Sequence, residues 1–250
     1  MDKEINEELY KIKIKEMHRQ IDIEINKQEE KKKKNIKKIV FWIKLIILEL
    51  LLIFGIYVYS ASNSSIDKPI IYLYPESEIE VLVKLGESEK LTCTYPKYEE
   101  EGWKVLAKPN GDLVDLKTGR NLYSLYWEGI NSKEYNYDLE EGFVVKGEDT
   151  IKFLEEKLEI LGLSQTEAEE FIIYWLPQME NNKYNYIRFQ TAEEIEENMP
   201  LEITPKPDTT IRVMMEWKEL NKYIEIEEQK LETPERKGFV AVEWGGTEIK

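Results

Sequence analysis

The sequence predicts an α+β fold: an antiparallel, β-rich extracytoplasmic domain with a central pair of helices, preceded by one transmembrane helix. Three observations carry that expectation. An apolar run occupies residues 39–59, the hydrophobic residues beyond it alternate with period two, and two capped helical patterns interrupt the alternation between about residues 150 and 177.

The apolar run, IVFWIKLIILELLLIFGIYVY, has 21 residues, roughly 31 Å as a helix, which matches the hydrocarbon thickness of a bilayer. Phe41 and Trp42 lie at one end and Tyr57 and Tyr59 at the other, where amphipathic rings favour the headgroup boundary. Lys31, Lys32, Lys33, Lys34, Lys37 and Lys38 precede the run and only Lys68 follows closely. The positive-inside bias therefore predicts a single-pass signal anchor in the plasma membrane, with the N-terminus cytoplasmic and the bulk of the chain outside. A buried core helix and a signal peptide cleaved after Ser62 are the other readings of the same run.

Two charges interrupt it. Lys44 is near enough to the inner boundary for its stem to snorkel out, whereas Glu49 sits roughly 15 Å deep at the helical rise and needs a proton or a partner membrane helix. They are five residues apart, about 140° around a helix, too far round to pair within it.

Residues 1–38 form a Lys/Glu-rich tail read as helical, with Ile5, Leu9 and Ile12 on one stripe and Ile14, Met17, Ile21 and Ile25 on a second, displaced one. Residues 60–67 begin Ser-Ala-Ser-Asn-Ser-Ser and read as a flexible polar stalk, so the folded domain is expected at 68–250.

Within that domain Ile79, Val81, Val83 and Leu85 share one strand face, and Trp103, Val105 and Ala107 share another. Pro109-Asn110-Gly111-Asp112 is a hairpin signal, because Asn-Gly tolerates the positive φ of a tight turn, and Thr118-Gly119 marks a turn before a strand at 122–127. Residues 69–128 are thus expected to hold about five antiparallel strands. Asp149 or Thr150 caps a helix carrying Ile151, Leu154, Leu158 and Leu161, stopped at Gly162. Ser164-Gln165-Thr166-Glu167 is a capping box opening a second helix, with Ala168, Phe171, Ile172 and Trp175, ended near Pro177. Strands return at 186–189, 201–203, 211–217, 223–227 and 239–244.

Several strings are distinctive: Lys68-Pro69-Ile70-Ile71-Tyr72-Leu73-Tyr74-Pro75, Thr94-Tyr95-Pro96 with Gly102-Trp103, Leu125-Tyr126-Trp127-Glu128-Gly129, Tyr174-Trp175-Leu176-Pro177 and Glu243-Trp244-Gly245-Gly246. Together they resemble a family of uncharacterised, membrane-anchored bacterial surface proteins, over nearly all of residues 68–246. The resemblance implies an envelope location and a single folded unit; it implies no activity and no catalytic residues.

Charge and residue types then exclude chemistry. Residues 1–44 hold 13 Lys/Arg and 9 Asp/Glu, leaving 22 basic and 41 acidic residues beyond, so the outer part should repel nucleic acid. Cys93 is the only cysteine, which forbids an intrachain disulfide; sharing a face with Leu91 and Tyr95, it reads as a small buried hydrophobe or, alternatively, a reactive thiol. The single histidine, His18, lies in the tail, so Ser-His-Asp and Cys-His catalysis and histidine zinc sites have no imidazole outside. Neither a phosphate-binding loop nor a dinucleotide fingerprint is present, and no cofactor or metal is expected.

Carboxylates and aromatics remain. Glu128 and Glu243 each adjoin a tryptophan at an expected strand end, where they are either a glycoside-cleaving pair or solvated surface groups. Acidic runs at 99–101, 193–197 and 225–228 lack the spacing of a calcium loop and read as solvated. The domain is rich in Tyr72, Tyr74, Tyr123, Tyr126, Trp127, Tyr135, Tyr137, Tyr184 and Tyr186. Tyr72, Tyr74, Tyr126, Trp127 and Trp244 are the candidate contacts for a protein or an envelope glycan. The leading expectation is a membrane-anchored, non-catalytic binding module. A carboxylate glycosidase using Glu128 and Glu243 and a signalling or assembly subunit acting through Glu49 and Lys44 are its alternatives.

Overall fold

A computed structural model describes residues 2–62, 64–131 and 139–249, with side chains described for most of 15–54, for 66–130 and for 139–249. The chain divides into two compact units, Met1–Ser62 and Asn63–Lys250.

The first unit is one helix, α1 (Asp2–Ser62), of 61 residues. It joins the expected tail and apolar run without a break, because Lys, Glu, Leu and Ile dominate and no proline intervenes. Phe41, Trp42, Leu48, Leu50, Leu51, Leu52 and Phe54 are among its exposed apolar side chains. Among the described residues no helix is long and apolar enough to cross a membrane. The described side chains of the expected span carry both Lys44 and Glu49, and those of its last five residues, 55–59, lie outside the described set.

The second unit begins with β1 (Ser64–Tyr74), β2 (Ile79–Leu85), β3 (Leu91–Tyr95), β4 (Trp103–Ala107), β5 (Leu113–Asp115), β6 (Asn121–Leu122) and β7 (Leu125–Asn131). After β8 (Glu141–Lys146) come α2 (Thr150–Ile160), α3 (Gln165–Met179), β9 (Tyr184–Phe189) and α4 (Ala192–Asn198). The chain finishes with β10 (Leu201–Thr204), β11 (Thr209–Leu220), β12 (Glu227–Glu228) and β13 (Val240–Glu248). One sheet has the order β12-β8-β9-β11-β13-β1-β7-β3 and the other β10-β2-β4-β5-β6.

Alternation along the central strands makes a three-layer domain. Ile71 and Leu73 of β1 pack with Val83, Val105, Leu113 and Trp127 between the two sheets, while Ile70 and Tyr72 turn the other way, onto Leu154, Leu158, Phe171 and Trp175 of α2 and α3. The mixed α+β class is as expected, but the sheet is not purely antiparallel: β11 and β13 run parallel, Arg212 standing opposite Glu243. The expected five strands of residues 69–128 are divided between both sheets and number more than five among the described residues.

Part of the expected stalk is structure. Ser64, Ser65 and Ile66 pair with Asn131, Ile130 and Gly129, so backbone pairing rather than side-chain character makes this stretch a strand. A register shift follows between Ile66 and Ile70, and within it Lys68 adopts φ 59. Three further expectations are corrected. Pro177 lies inside α3 rather than ending it, the strand expected at 223–227 is reduced to Glu227–Glu228, and Cys93, on edge strand β3, is exposed rather than buried. The capping box of α3 forms as expected, with Ser164 accepting from the Glu167 N–H and Glu167 accepting from the Ser164 N–H. A second one, Thr191 with Glu194, opens α4, which was not anticipated.

Candidate functional site

The large sheet separates the expected site residues by face. Trp127 and Glu243 point between the sheets, whereas Tyr72, Tyr74, Tyr126 and Trp244 belong to the helix side. Glu128 accepts a hydrogen bond from the Tyr126 hydroxyl, two residues away on the same strand face.

Between the sheets, Glu243 is 0% exposed. Trp127 Nε1 donates to its Oε1 at 2.9 Å and Arg212 Nε to its Oε2 at 2.6 Å. Arg212 also reaches Glu196 at 3.0 Å and the Met199 carbonyl at 2.8 Å, at the end of α4. One strand over, Glu216 is equally buried and accepts from Arg188 at 3.1 Å and Gln190 at 2.7 Å, while Arg188 forks onto Glu194 at 2.9 Å. Arg188 stands opposite Glu216 in the register just as Arg212 stands opposite Glu243, so two cross-strand ion pairs form a buried ladder that holds α4 to the sheet. The cavity beside it, lined by Trp127, Gln190, Asn198, Arg212 and Thr247, measures about 10 Å³, room for one water at most.

Glu243 is therefore neither a solvated strand end nor a cleft carboxylate. Glu128 and Glu243 project from opposite faces of one sheet and do not flank a common cleft, so the geometry of a glycoside-cleaving pair is absent. The acidic runs are likewise engaged in part: Glu99 pairs with Lys117, Glu101 with Lys104, and Glu194 and Glu196 belong to the ladder.

On the helix side a strip of tyrosines runs beside α3. Tyr72 and Tyr74 stack with centroids 6.3 Å apart and planes 6° apart, and Tyr72 meets Tyr123 at 6.4 Å. The Tyr72 hydroxyl donates to Glu170 at 2.5 Å. Arg236 forks onto Glu167 at 2.9 and 3.1 Å and lies 5.3 Å over the Tyr74 ring, while Lys68 lies 5.1 Å over Tyr174. Gly111, at φ 87, lets the hairpin turn approach: a Cβ there would stand 2.7 Å from Tyr74 Cε1. Exposure varies along the strip. Tyr72 is 3% exposed and Tyr123 58%, with Tyr74, Tyr126 and Tyr174 half-buried.

Electrostatics fix the protonation states. Burial, followed by the Glu170 carboxylate, pushes the Tyr72 hydroxyl far above the ordinary phenol range; burial and Glu167 do so for Tyr74, and burial and Glu128 for Tyr126. These hydroxyls stay protonated and act as donors, not as bases or nucleophiles. Glu167 is 1% exposed. Burial alone would raise its carboxyl, yet Arg236 and the Ser164 N–H hold it below the usual carboxylate range. A carboxyl whose folded pKa is depressed stabilises the fold fully above its unfolded value of about 4.3, and that contribution is lost as pH falls through the lower folded value. The melting temperature of the domain is thus expected to drop below about pH 4.3, and Arg236→Gln to shrink that acid-induced drop. Thermal melts of both proteins from pH 7 to pH 3 test this; equal drops would show that Arg236 does not control Glu167.

The strip thus unites four expected residues, Tyr72, Tyr74, Tyr126 and Glu128, over a core containing Trp244. Trp127 and Trp244 are fully buried packing residues, not contacts for a ligand. Tyr135 and Tyr137 lie outside the described residues. Glu49 and Lys44 are exposed on α1. Sequence reasoning missed Lys68, Glu167, Glu170, Tyr174 and Arg236; α3 brings Glu167, Glu170 and Tyr174 to one side at helical spacing, a signal that was available. No protein-family model, curated protein or solved structure matches the chain.

Proposed function

We propose that the chain is a membrane-anchored, non-catalytic binding module, with its tail in the cytoplasm and its folded domain outside, that engages an envelope glycan or a protein surface. The observation that carries this reading is the tyrosine strip, in which the exposed ring of Tyr123 and the half-buried rings of Tyr74, Tyr126 and Tyr174 stand beside the carboxylate acceptors Glu128 and Glu170 at a partly open surface. Such a surface offers stacking and hydrogen bonding together, which is what a polyhydroxylated chain requires, so a glycan is the leading ligand. The membrane anchor is supported by the length of the apolar run at 39–59, its flanking aromatics and the lysines before it.

The test is titration of the 64–250 domain with soluble wall-glycan fragments, followed calorimetrically. Tyr123→Ala and Tyr126→Ala are expected to weaken binding by about tenfold or more each, with the fold unchanged for the exposed Tyr123. Unaltered affinity in both variants would remove the strip from consideration, and turnover of any fragment would overturn the non-catalytic reading.

A further inference from the structure

We infer that α1 pairs in parallel with α1 of a second copy of this chain, through a seam of Phe41, Leu45, Leu48 and Leu52 flanked by reciprocal Lys44–Glu49 ion pairs. The inference rests on the membrane anchoring proposed above. Neither charge has an opposite charge where helix neighbours meet: three and four residues from Lys44 stand Val40, Phe41, Ile47 and Leu48, and from Glu49 stand Leu45, Ile46, Leu52 and Ile53. In an apolar surrounding the deep Glu49 is costly until neutralised, and Lys44, whose stem can bend along the helix, is the cation within reach of it on a neighbouring copy.

The spacing that prevents pairing within one helix favours it between two. In a parallel two-helix pair, the positions flanking the apolar seam on opposite sides carry the interhelical ion pairs, and they are five residues apart. Lys44 and Glu49 lie about 70° to either side of a midline, and Phe41, Leu45, Leu48 and Leu52 all fall within about 30° of that midline. The axial offset is roughly 7.5 Å, within the joint reach of a lysine and a glutamate side chain. All four seam residues belong to the described helix, and Phe41, Leu48 and Leu52 are 59%, 55% and 61% exposed. Nearer the tail Lys34 falls on the same midline and Lys38 about 50° to its side, so the seam is confined to the apolar run. A foreign helix bearing one basic residue would neutralise Glu49 and leave Lys44 to snorkel, its charge and the five-residue spacing unused. A second copy neutralises both, and copies sharing one topology meet in parallel, the orientation the spacing requires.

The experiment uses the full chain in phosphatidylcholine–phosphatidylglycerol vesicles, with energy transfer between donor- and acceptor-labelled copies. Lys44→Glu and Glu49→Lys singly are expected to weaken association by about tenfold, and the double exchange to restore it. In a Cys93→Ala background, copper-phenanthroline oxidation is expected to crosslink Leu45→Cys, Leu48→Cys and Leu52→Cys but not Ile47→Cys or Leu50→Cys. Single reversals that associate like the parent, a double exchange that fails to restore association, or crosslinking without preference for the seam would overturn the pairing. Retention after an alkaline carbonate wash is measured on the same vesicles. A chain retained but monomeric overturns the pairing alone; a chain washed off overturns the pairing and the anchor together.

Discussion

Glu243→Ala is expected to destabilise the 64–250 domain by about 3–5 kcal/mol, the usual cost of removing one member of a buried ion pair. The carboxylate is fully buried and takes two charge-assisted or indole hydrogen bonds. Its loss leaves the Trp127 N–H and the Nε of Arg212 without an acceptor, and the Arg212 side chain, only 9% exposed, keeps just the exposed Glu196 as counter-charge among the described residues. Arg212 is also what ties Glu196 and the Met199 carbonyl to the sheet, so α4 should loosen with it. The double replacement Arg212→Met with Glu243→Leu removes both charges and fills their space. Such exchanges are often neutral in charge terms, and here the cost that remains is the unpaired Trp127 N–H and the lost α4 contact, so the double variant should fall about 1–3 kcal/mol below the parent in stability and above Glu243→Ala. Urea denaturation followed by tryptophan fluorescence measures all three proteins. A cost below about 1 kcal/mol for Glu243→Ala would mean that water already reaches the carboxylate.

The second large effect is at Trp175. It is 0% exposed and packs against Phe171, with the edge of its ring so close to β13 that a Cβ added at Gly246 would stand 2.7 Å from Cζ2. Trp175→Ala is expected to cost about 3–5 kcal/mol through the lost transfer energy and the cavity left behind. Trp175→Phe separates packing from hydrogen bonding, because the buried Trp175 Nε1 has no partner among the described residues. That variant forfeits volume only and loses an unsatisfied donor, so its cost should stay near 1 kcal/mol. Trp127→Phe is the contrast: it deletes a bond to a buried carboxylate and should cost about 1.5–3 kcal/mol from that bond alone. If the two Phe variants prove equally stable, the Trp127–Glu243 bond carries no net stability.

The local elements were readable because their signals are local. The capping box at Ser164, the alternation of β2 and β4 and the turn at Gly111 each depend on residues within a few positions of one another. What was not readable depends on layers. A strand inside a three-layer domain is buried on both faces, so a polar residue in its alternation no longer marks solvent, and Glu243 and Glu216 were open to misreading for that reason. The tryptophans of the Trp-Glu-Gly and Glu-Trp-Gly-Gly strings look like surface platforms in sequence and are core residues on opposite faces of the sheet. The ion pair between Glu167 and Arg236 spans 69 residues and has no local trace. α4 was obscured by its composition: Ala-Glu-Glu-Ile-Glu-Glu-Asn reads as an acidic surface run unless the Thr191–Glu194 capping box before it is recognised. Cys93 reverses the pattern, since an edge strand leaves one flank open and its alternation overstates burial.

The placement of β1 has a mechanical consequence. The first strand after α1 is an interior one, hydrogen-bonded to β13 along one side and to β7 along the other. Hydrogen bonds in antiparallel ladders lie across the strand direction. Tension entering at Ser64, with the domain gripped elsewhere, therefore pulls along the strand and loads both ladders in shear, many bonds at once, instead of unzipping them singly. A tethered module of this build should hold its shape under a pull that would peel away an edge strand, and its lifetime under load should follow the rupture of β1 from its two neighbours.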